Sequence, residues 1–482
     1  MPFEFPPAEL MIIGDSLAQG CRSLTVKREF CAQSWAARIA QSQGWHFITP
    51  DFPIPVLFDL EDEIRRLDVL QSLHDLRFEG FLHRLRGNLQ TWLDDTPRSA
   101  FSCFDNLGLS GCLVDDLYTR TARSSANEIA KLAPNGATDY LLTCLQNNTI
   151  GDLHLAINGR FTLNPSRALE LDDLTPLDWV RLRKPRMLLV QVGHNHGLYQ
   201  VGSNANVQGS PAESFTASGG DGHQPFFDQW TELGRQLAEL PGEVKHVVVS
   251  LLPKVGAVSN LRPMGVEREA GYAHSYDPVF SVSKKQLDGA TLSAVDEEIR
   301  KANDQIWTIL TTAAMATNTK ERLALVNVYA LFEARDYKNS LDPARRVVVT
   351  SAMAVDNRYV EGKLTLFPAI GKTLAAGGLE SIDGMHATGC GYADLASETI
   401  KVLGLQHDRS GLLSRALAED TLLGDYPMPL DMVVRLLAIL RDLQHFGAME
   451  AAPRAVLTED VDIATALHLM QQVFTRQDNL RL

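Results

Sequence analysis

Three residues of this chain, Ser16, Asp383 and His386, have the types and spacing that nucleophilic catalysis asks for. A serine hydroxyl is a poor nucleophile until a base takes its proton. An imidazole, with an unperturbed pKa of ~6.5, is the side chain best poised to do so near neutral pH. The imidazole then needs its other nitrogen oriented and its cationic form stabilised. A carboxylate three residues earlier does both when the segment makes one helical or 3₁₀ turn, and Ser381-Ile382-Asp383-Gly384-Met385-His386 has that spacing. Ser16 stands in Met11-Ile12-Ile13-Gly14-Asp15-Ser16-Leu17, where an apolar run breaks into a small polar turn with Gly14 before it and Gly20 after it. This reads as a strand that delivers a serine to the edge of a sheet, its N–H near a helix start where it can face developing negative charge.

The elements that must position these residues alternate strand, glycine turn and helix, the pattern of a parallel α/β sheet. Strands are expected at 11–13, 101–106, 186–192, 244–252 and 322–328, with 46–58 a further strand or a loop broken by Pro50, Pro53 and Pro55. Helices are expected at 32–43, 115–129, 225–240, 296–315 and 391–403. Segments 346–350 and 363–367 are candidates to pair as an added hairpin. Four sites fall just past a strand or just before a helix: Ser16, Asn106 to Gly111, Gly193 to Asn195, and Asp383 to His386. In open parallel sheets that edge is where ligands bind. The expectation is a three-layer α/β/α sandwich with a central parallel sheet of about five strands.

Two insertions interrupt this plan. Residues 57–95 are charged and leucine-rich, with Leu60, Ile64, Leu67, Leu70 and Leu73 spaced as one or two amphipathic helices, and 200–225 is a Gly-, Ser- and Asn-rich surface loop. Residues 57–95 and 197–225 are expected to form pocket walls or a lid. The chain divides into a catalytic part over 1–405 and a helical extension over 406–482 packed on it, with Asp431 a candidate N-cap for a helix through Leu440.

The 482 residues carry 45 Lys+Arg against 59 Asp+Glu, a formal net charge of −14. An acidic surface repels nucleic-acid phosphates and anionic lipid head groups, so a small neutral or hydrophobic substrate is expected and nucleic acid is not. Apolar runs such as 187–190 and 247–252 fall far below the ~20 residues that span a bilayer. The first ten residues lack the basic start of a secretory leader, so the expected location is cytoplasmic, or that of a mature secreted form whose leader is absent from this sequence. The six cysteines (Cys21, Cys31, Cys103, Cys112, Cys144, Cys390) show no C-x-x-C pair and read as reduced structural thiols. His194 and His196 have no accompanying carboxylate or cysteine at ligand spacing and read as solvated loop residues; no metal or organic cofactor is expected. Gly371-Lys372-Thr373 fails as a phosphate-binding loop because Leu366 stands where that motif needs glycine, and no G-x-S-x-G elbow occurs.

In their order, the four sites resemble the blocks of the GDSL hydrolases, also called SGNH hydrolases. The first block is Gly14-Asp15-Ser16-Leu17, and the second is Asn106-Leu107-Gly108-Leu109-Ser110-Gly111 with Gly111 at the family's glycine position and Gly108 as the other register. The third, Gly193-His194-Asn195-His196, is similar to G-x-N-D, and the last, Asp383-Gly384-Met385-His386, matches D-x-x-H. Leu251-Leu252-Pro253 and Gly391-Tyr392-Ala393 also look like the family's usage. The resemblance implies ester hydrolysis, as esterase or lipase, through an acyl-enzyme, with Ser16 as nucleophile, His386 as base and Asp383 as its orienting carboxylate. It further implies an oxyanion hole of the Ser16 N–H, the Gly111 N–H and the Asn195 side-chain amide. Acyl transfer or carbohydrate deacetylation would use the same site, and an inactive binding protein on the same fold is the alternative of a different class. Two departures stand out. His196 replaces the usual aspartate, which puts the bonds holding that loop and Asn195 in question, and Ala387 replaces the proline that often follows the histidine.

Overall fold

A computed structural model describes residues 5–69, 79–95, 97–132, 150–207, 210, 224–269, 271–281, 285–365 and 371–425. Five strands assemble there into one parallel sheet: β1 (Leu10–Gly14), β2 (Asn106–Gly108), β3 (Met187–Gln191), β4 (His246–Ser250) and β5 (Leu323–Val326), in the order β2-β1-β3-β4-β5. Every residue of β1 and β3 is buried, as continuous apolar strands covered on both faces must be. The register sets Ile12 opposite Asn106 on one side and Leu189 on the other. Chain order reverses between β1 and β3, the topological switch point of a doubly wound sheet, where the loops that leave the strands part and open a crevice.

Helices cover the sheet in a manner consistent with three layers. The first, α1, is one turn at Ser16–Gln19; α2 follows at Trp35–Gln43, α3 at Phe226–Ala238, α4 at Gly289–Ala316, α5 at Gly389–Val402 and α6 at Arg409–Glu419. α2 packs against α5, and α3 against α4. In α2 the 35/36/39/40 spacing buries Trp35, Ala36, Ile39 and Ala40 on one face, while Ser34 caps the start by accepting the Ala37 N–H. α4 begins at Gly289 rather than 296 because Asp288 caps it through the Thr291 N–H.

Several expectations need correction. Residues 101–105 are not strand, whereas 46–58 take the loop alternative of their two readings. Asp105 instead turns its carboxylate onto the Ile48 N–H, which leaves three residues for β2. The helix expected at 115–129 is two, Asp116–Thr119 and Ala122–Leu132, broken at Arg120, whose buried guanidinium is held by Asp116 and Glu128. Strands 347–350 and 361–365 do not pair with each other. Each finds a nearer antiparallel partner, Met353–Val355 and Gly371–Ala376, across a short connection.

The antiparallel pair Leu261–Glu269 and Tyr272–Pro278 was not expected, since Pro263 and Gly265 interrupt its strand pattern. The helix at Pro176–Arg183 was missed although Thr175 and Asp178 form a capping box. The 57–95 insertion contributes helices at Leu60–Val69 and Glu79–Gln90. A helix at Leu198–Asn204 replaces the start of the expected loop at 200–225, most of whose remainder lies outside the described residues, as do the helix expected from Asp431 and Cys144. No described helix is long and apolar enough to cross a membrane. The five described cysteines are buried free thiols.

Candidate active site

The loop after β1 sets the position of Ser16. Gly14 has φ +152°, and a Cβ there would lie 1.9 Å from the Gln191 carbonyl oxygen of β3, so only glycine lets the strand turn this close to its neighbour. Asp15 donates its N–H to that same oxygen (2.9 Å) and accepts the Leu17 N–H on its own carboxylate (3.2 Å), which starts α1 with Ser16 as first residue. The Ser16 N–H therefore has no acceptor within its own helix.

The last block reaches Ser16 from 370 positions away. His386 Nε2 stands 2.9 Å from Ser16 Oγ, and His386 Nδ1 stands 2.8 Å from Asp383 Oδ2. Asp383 Oδ1 accepts the Met385 and His386 N–H groups at 2.8 Å each, so the turn between carboxylate and imidazole is closed by its own backbone. Asp383 Oδ2 also accepts the Leu24 N–H at 2.7 Å. All three side chains are buried, with Ser16 exposed by 7%. Burial opposes ionisation of Asp383, but the His386 ring and the backbone donors outweigh it and hold the carboxyl below its usual range. For His386, burial works downward while Cys21 and the Asp383 carboxylate beside the ring work upward, and the imidazole lies well above its ordinary value.

The Leu24 contact was invisible in the sequence. Ser23 and Leu24 adopt φ of +51° and +53°, left-handed conformations that cost roughly 1–2 kcal/mol each for residues with a Cβ. A buried cluster holds them there. Arg22 makes a two-pronged contact with Glu61 (2.8 and 2.9 Å), Ser23 Oγ donates to Glu61 (2.8 Å), and Asp420 both pairs with Arg22 (3.3 Å) and accepts the Gly389 N–H at the start of α5 (2.7 Å). Glu61 belongs to the 57–95 insertion and Asp420 follows α6. Both segments thus buttress the Asp383 carboxylate from behind. An Arg–Glu pair 39 residues apart leaves no periodic trace in a sequence.

The loops after β2 and β3 are tied to the same turn. Leu109 donates its N–H to the Gly14 carbonyl (2.8 Å), Ser110 donates to Gln19 Oε1 (3.0 Å), and Asn195 Nδ2 donates to the Cys112 carbonyl (2.8 Å). That last bond uses one amide hydrogen of Asn195 and leaves the other. Gly108 and Gly111 differ in kind. A Cβ on Gly108 would lie 2.4 Å from the Gln19 nitrogen, and its N–H is taken by Asn106 Oδ1 (2.9 Å), so it serves packing of β2 on α1. Gly111, at φ +92°, has only the Leu155 Cβ within reach of a built Cβ, at 3.8 Å, and no N–H partner among the described residues.

The flanking histidines are not the solvated residues expected. His194 Nδ1 stands 2.6 Å from Asp15 Oδ2, and His194 Nε2 is buried without a partner. His196 is 4% exposed, accepts the Val114 N–H on Nε2 (3.3 Å) and sets its ring edge-on to Phe226 at 4.9 Å. Both have intramolecular acceptors or donors because the loop folds back onto β1 and β2 rather than outward. His196 thereby ties its loop to the Val114 N–H after β2. Among the described residues, no group of three His, Cys, Asp or Glu side chains could hold a metal ion.

Serine, imidazole and carboxylate in contact, beside two loops with uncommitted N–H donors, form an arrangement able to activate an alcohol and to stabilise an oxyanion. Comparison with family models, with curated proteins and with solved structures finds no match for this chain.

Proposed function

We propose that this chain is a serine-dependent carboxylic ester hydrolase of the GDSL type. The observation that carries the reading is the unbroken run of contacts from Asp383 through His386 to Ser16 at 2.8 and 2.9 Å, at the switch-point edge of the sheet. His386 Nε2 takes the Ser16 proton as Oγ bonds to the ester carbonyl carbon, while Asp383 keeps Nδ1 protonated and oriented. Negative charge gathers on the former carbonyl oxygen, facing the Ser16 N–H, the Gly111 N–H and the free amide hydrogen of Asn195. Each such donor is worth ~3 kcal/mol of barrier. His386 then hands its proton to the leaving alcohol oxygen, which breaks the ester bond and leaves an acyl-enzyme. Water, deprotonated by the same nitrogen, releases the acid and restores Ser16.

The test is hydrolysis of p-nitrophenyl esters from acetate to decanoate by the parent protein and by Ser16→Ala. Turnover by the parent that falls by about 10⁶ in kcat in the variant is expected. Equal turnover by both, or none by the parent across the series, overturns the reading.

A further inference from the structure

A cavity of about 590 Å³, part of it open to solvent, lies beside the reactive serine rather than at it. Leu17 and Met385 line it, the residues directly after Ser16 and directly before His386, so its rim begins one residue from both reacting groups. Leu331, Phe332 and Leu395 continue the apolar wall. Six polar side chains line the rest, and four of them are already satisfied. Arg335 and Asp394 bind each other (2.8 Å), Asn357 donates to the Ala257 carbonyl (2.8 Å), and the Tyr392 hydroxyl donates to the Cys21 carbonyl (2.6 Å).

The other two are Gln191, fully buried at the end of β3, and Glu380, 5% exposed. Both the amide oxygen and the amide nitrogen of Gln191 lack a partner, as does Glu380 Oε2. Each unmet buried polar group costs about 1–3 kcal/mol. Three such atoms on the wall of one otherwise satisfied, mainly apolar cavity mark a place that a ligand completes. Burial drives the Glu380 carboxyl up to about 8, against the pull of Lys338, so near neutral pH it is mainly protonated and can donate. The wall then offers two kinds of donor and one acceptor, which suits a neutral hydroxyl and not a second anion.

We propose that this cavity receives the acyl chain of the ester and selects chains that carry a hydroxyl. The proposal rests on the ester-hydrolase reading and makes it specific, since the cavity begins at Leu17, next to Ser16, and carries Gln191 and Glu380 on its wall.

The experiment compares kcat/KM for p-nitrophenyl hexanoate and 6-hydroxyhexanoate, with acetate as a chain too short to enter. The parent should favour the hydroxylated chain by roughly tenfold or more, and Gln191→Leu should abolish that preference. Leu331→Trp, which fills the cavity, should leave acetate turnover within about twofold and depress both hexanoates at least tenfold. Binding of 1,6-hexanediol to Ser16→Ala, measured by calorimetry, should be lost when Leu331→Trp is added. Serine-dependent acetate hydrolysis without any hydroxyl preference, or with one that Gln191→Leu leaves intact, overturns the proposal and leaves the hydrolase reading standing. No ester turnover, together with diol binding that Leu331→Trp removes, upholds the cavity as a hydroxyl-binding site and sinks only its link to hydrolysis.

Discussion

Two carboxylate–imidazole pairs meet at the Ser16 turn. Asp383 holds His386 at 2.8 Å and Asp15 holds His194 at 2.6 Å, in both cases through Nδ1. Both pairs are largely buried. They differ in where Nε2 points. In His386 it meets Ser16 Oγ at 2.9 Å, whereas in His194 it is enclosed and meets nothing. A paired histidine can thus simply hold a loop, and what sets His386 apart is a hydroxyl on its second nitrogen. The pair at Asp15 ties the loop after β3 to the start of α1, and the pair at Asp383 reaches a hydroxyl, as the proposed proton transfer requires.

Substitutions that separate orientation from contact sharpen this contrast. Asp383→Asn preserves shape but favours the wrong tautomer of His386, and kcat should fall about 10⁴-fold. A loss below tenfold would mean that His386 needs no carboxylate. Asn195→Ala removes one oxyanion donor and the bond to the Cys112 carbonyl, and kcat should fall about 10²–10³-fold with measurable turnover left; an unchanged rate would remove Asn195 from the oxyanion hole. The pH profile follows from the upward displacement of His386. The base works only when neutral, so kcat/KM should drop about tenfold per pH unit on an acid limb whose midpoint lies above ~6.5. A midpoint below that value would show that burial, not Cys21 and Asp383, governs the ring. The smallest effect is expected at the other pair. His194→Asn keeps a donor toward Asp15, and kcat should stay within about fivefold with an unshifted pH midpoint, because a residue that only holds the turn changes neither chemistry nor titration. If this variant loses activity as deeply as Asp383→Asn, the two pairs are equivalent and the contrast fails.

What was legible in the sequence were the parts whose signal is local. Ser16, Asp383 and His386 could be singled out because a strand-to-glycine turn and a three-residue carboxylate–imidazole spacing are each contained in a few consecutive residues. The strands β1, β3 and β4 could be placed because buried parallel strands are continuous apolar runs. The failures also have physical causes. β2 is short because Asp105 is spent on Ile48, a partner 57 positions away, and the two hairpins chose nearer partners than their apolar pattern suggested. The histidines beside Asn195 read as solvated because nothing near them in sequence offers a partner, and Asp15 lies 179 positions from His194.

By itself the sequence determined the parallel α/β plan and singled out Ser16, His386 and Asp383 as a candidate set, since these rest on residue type and short spacing. Only the tertiary structure decided that the three touch, that Gly108 is committed to packing while Gly111 keeps its N–H, and that Glu61 and Asp420 brace the Leu24 turn against Asp383. Those contacts join residues tens to hundreds of positions apart, and a chain brings such residues together only when its whole core closes around them.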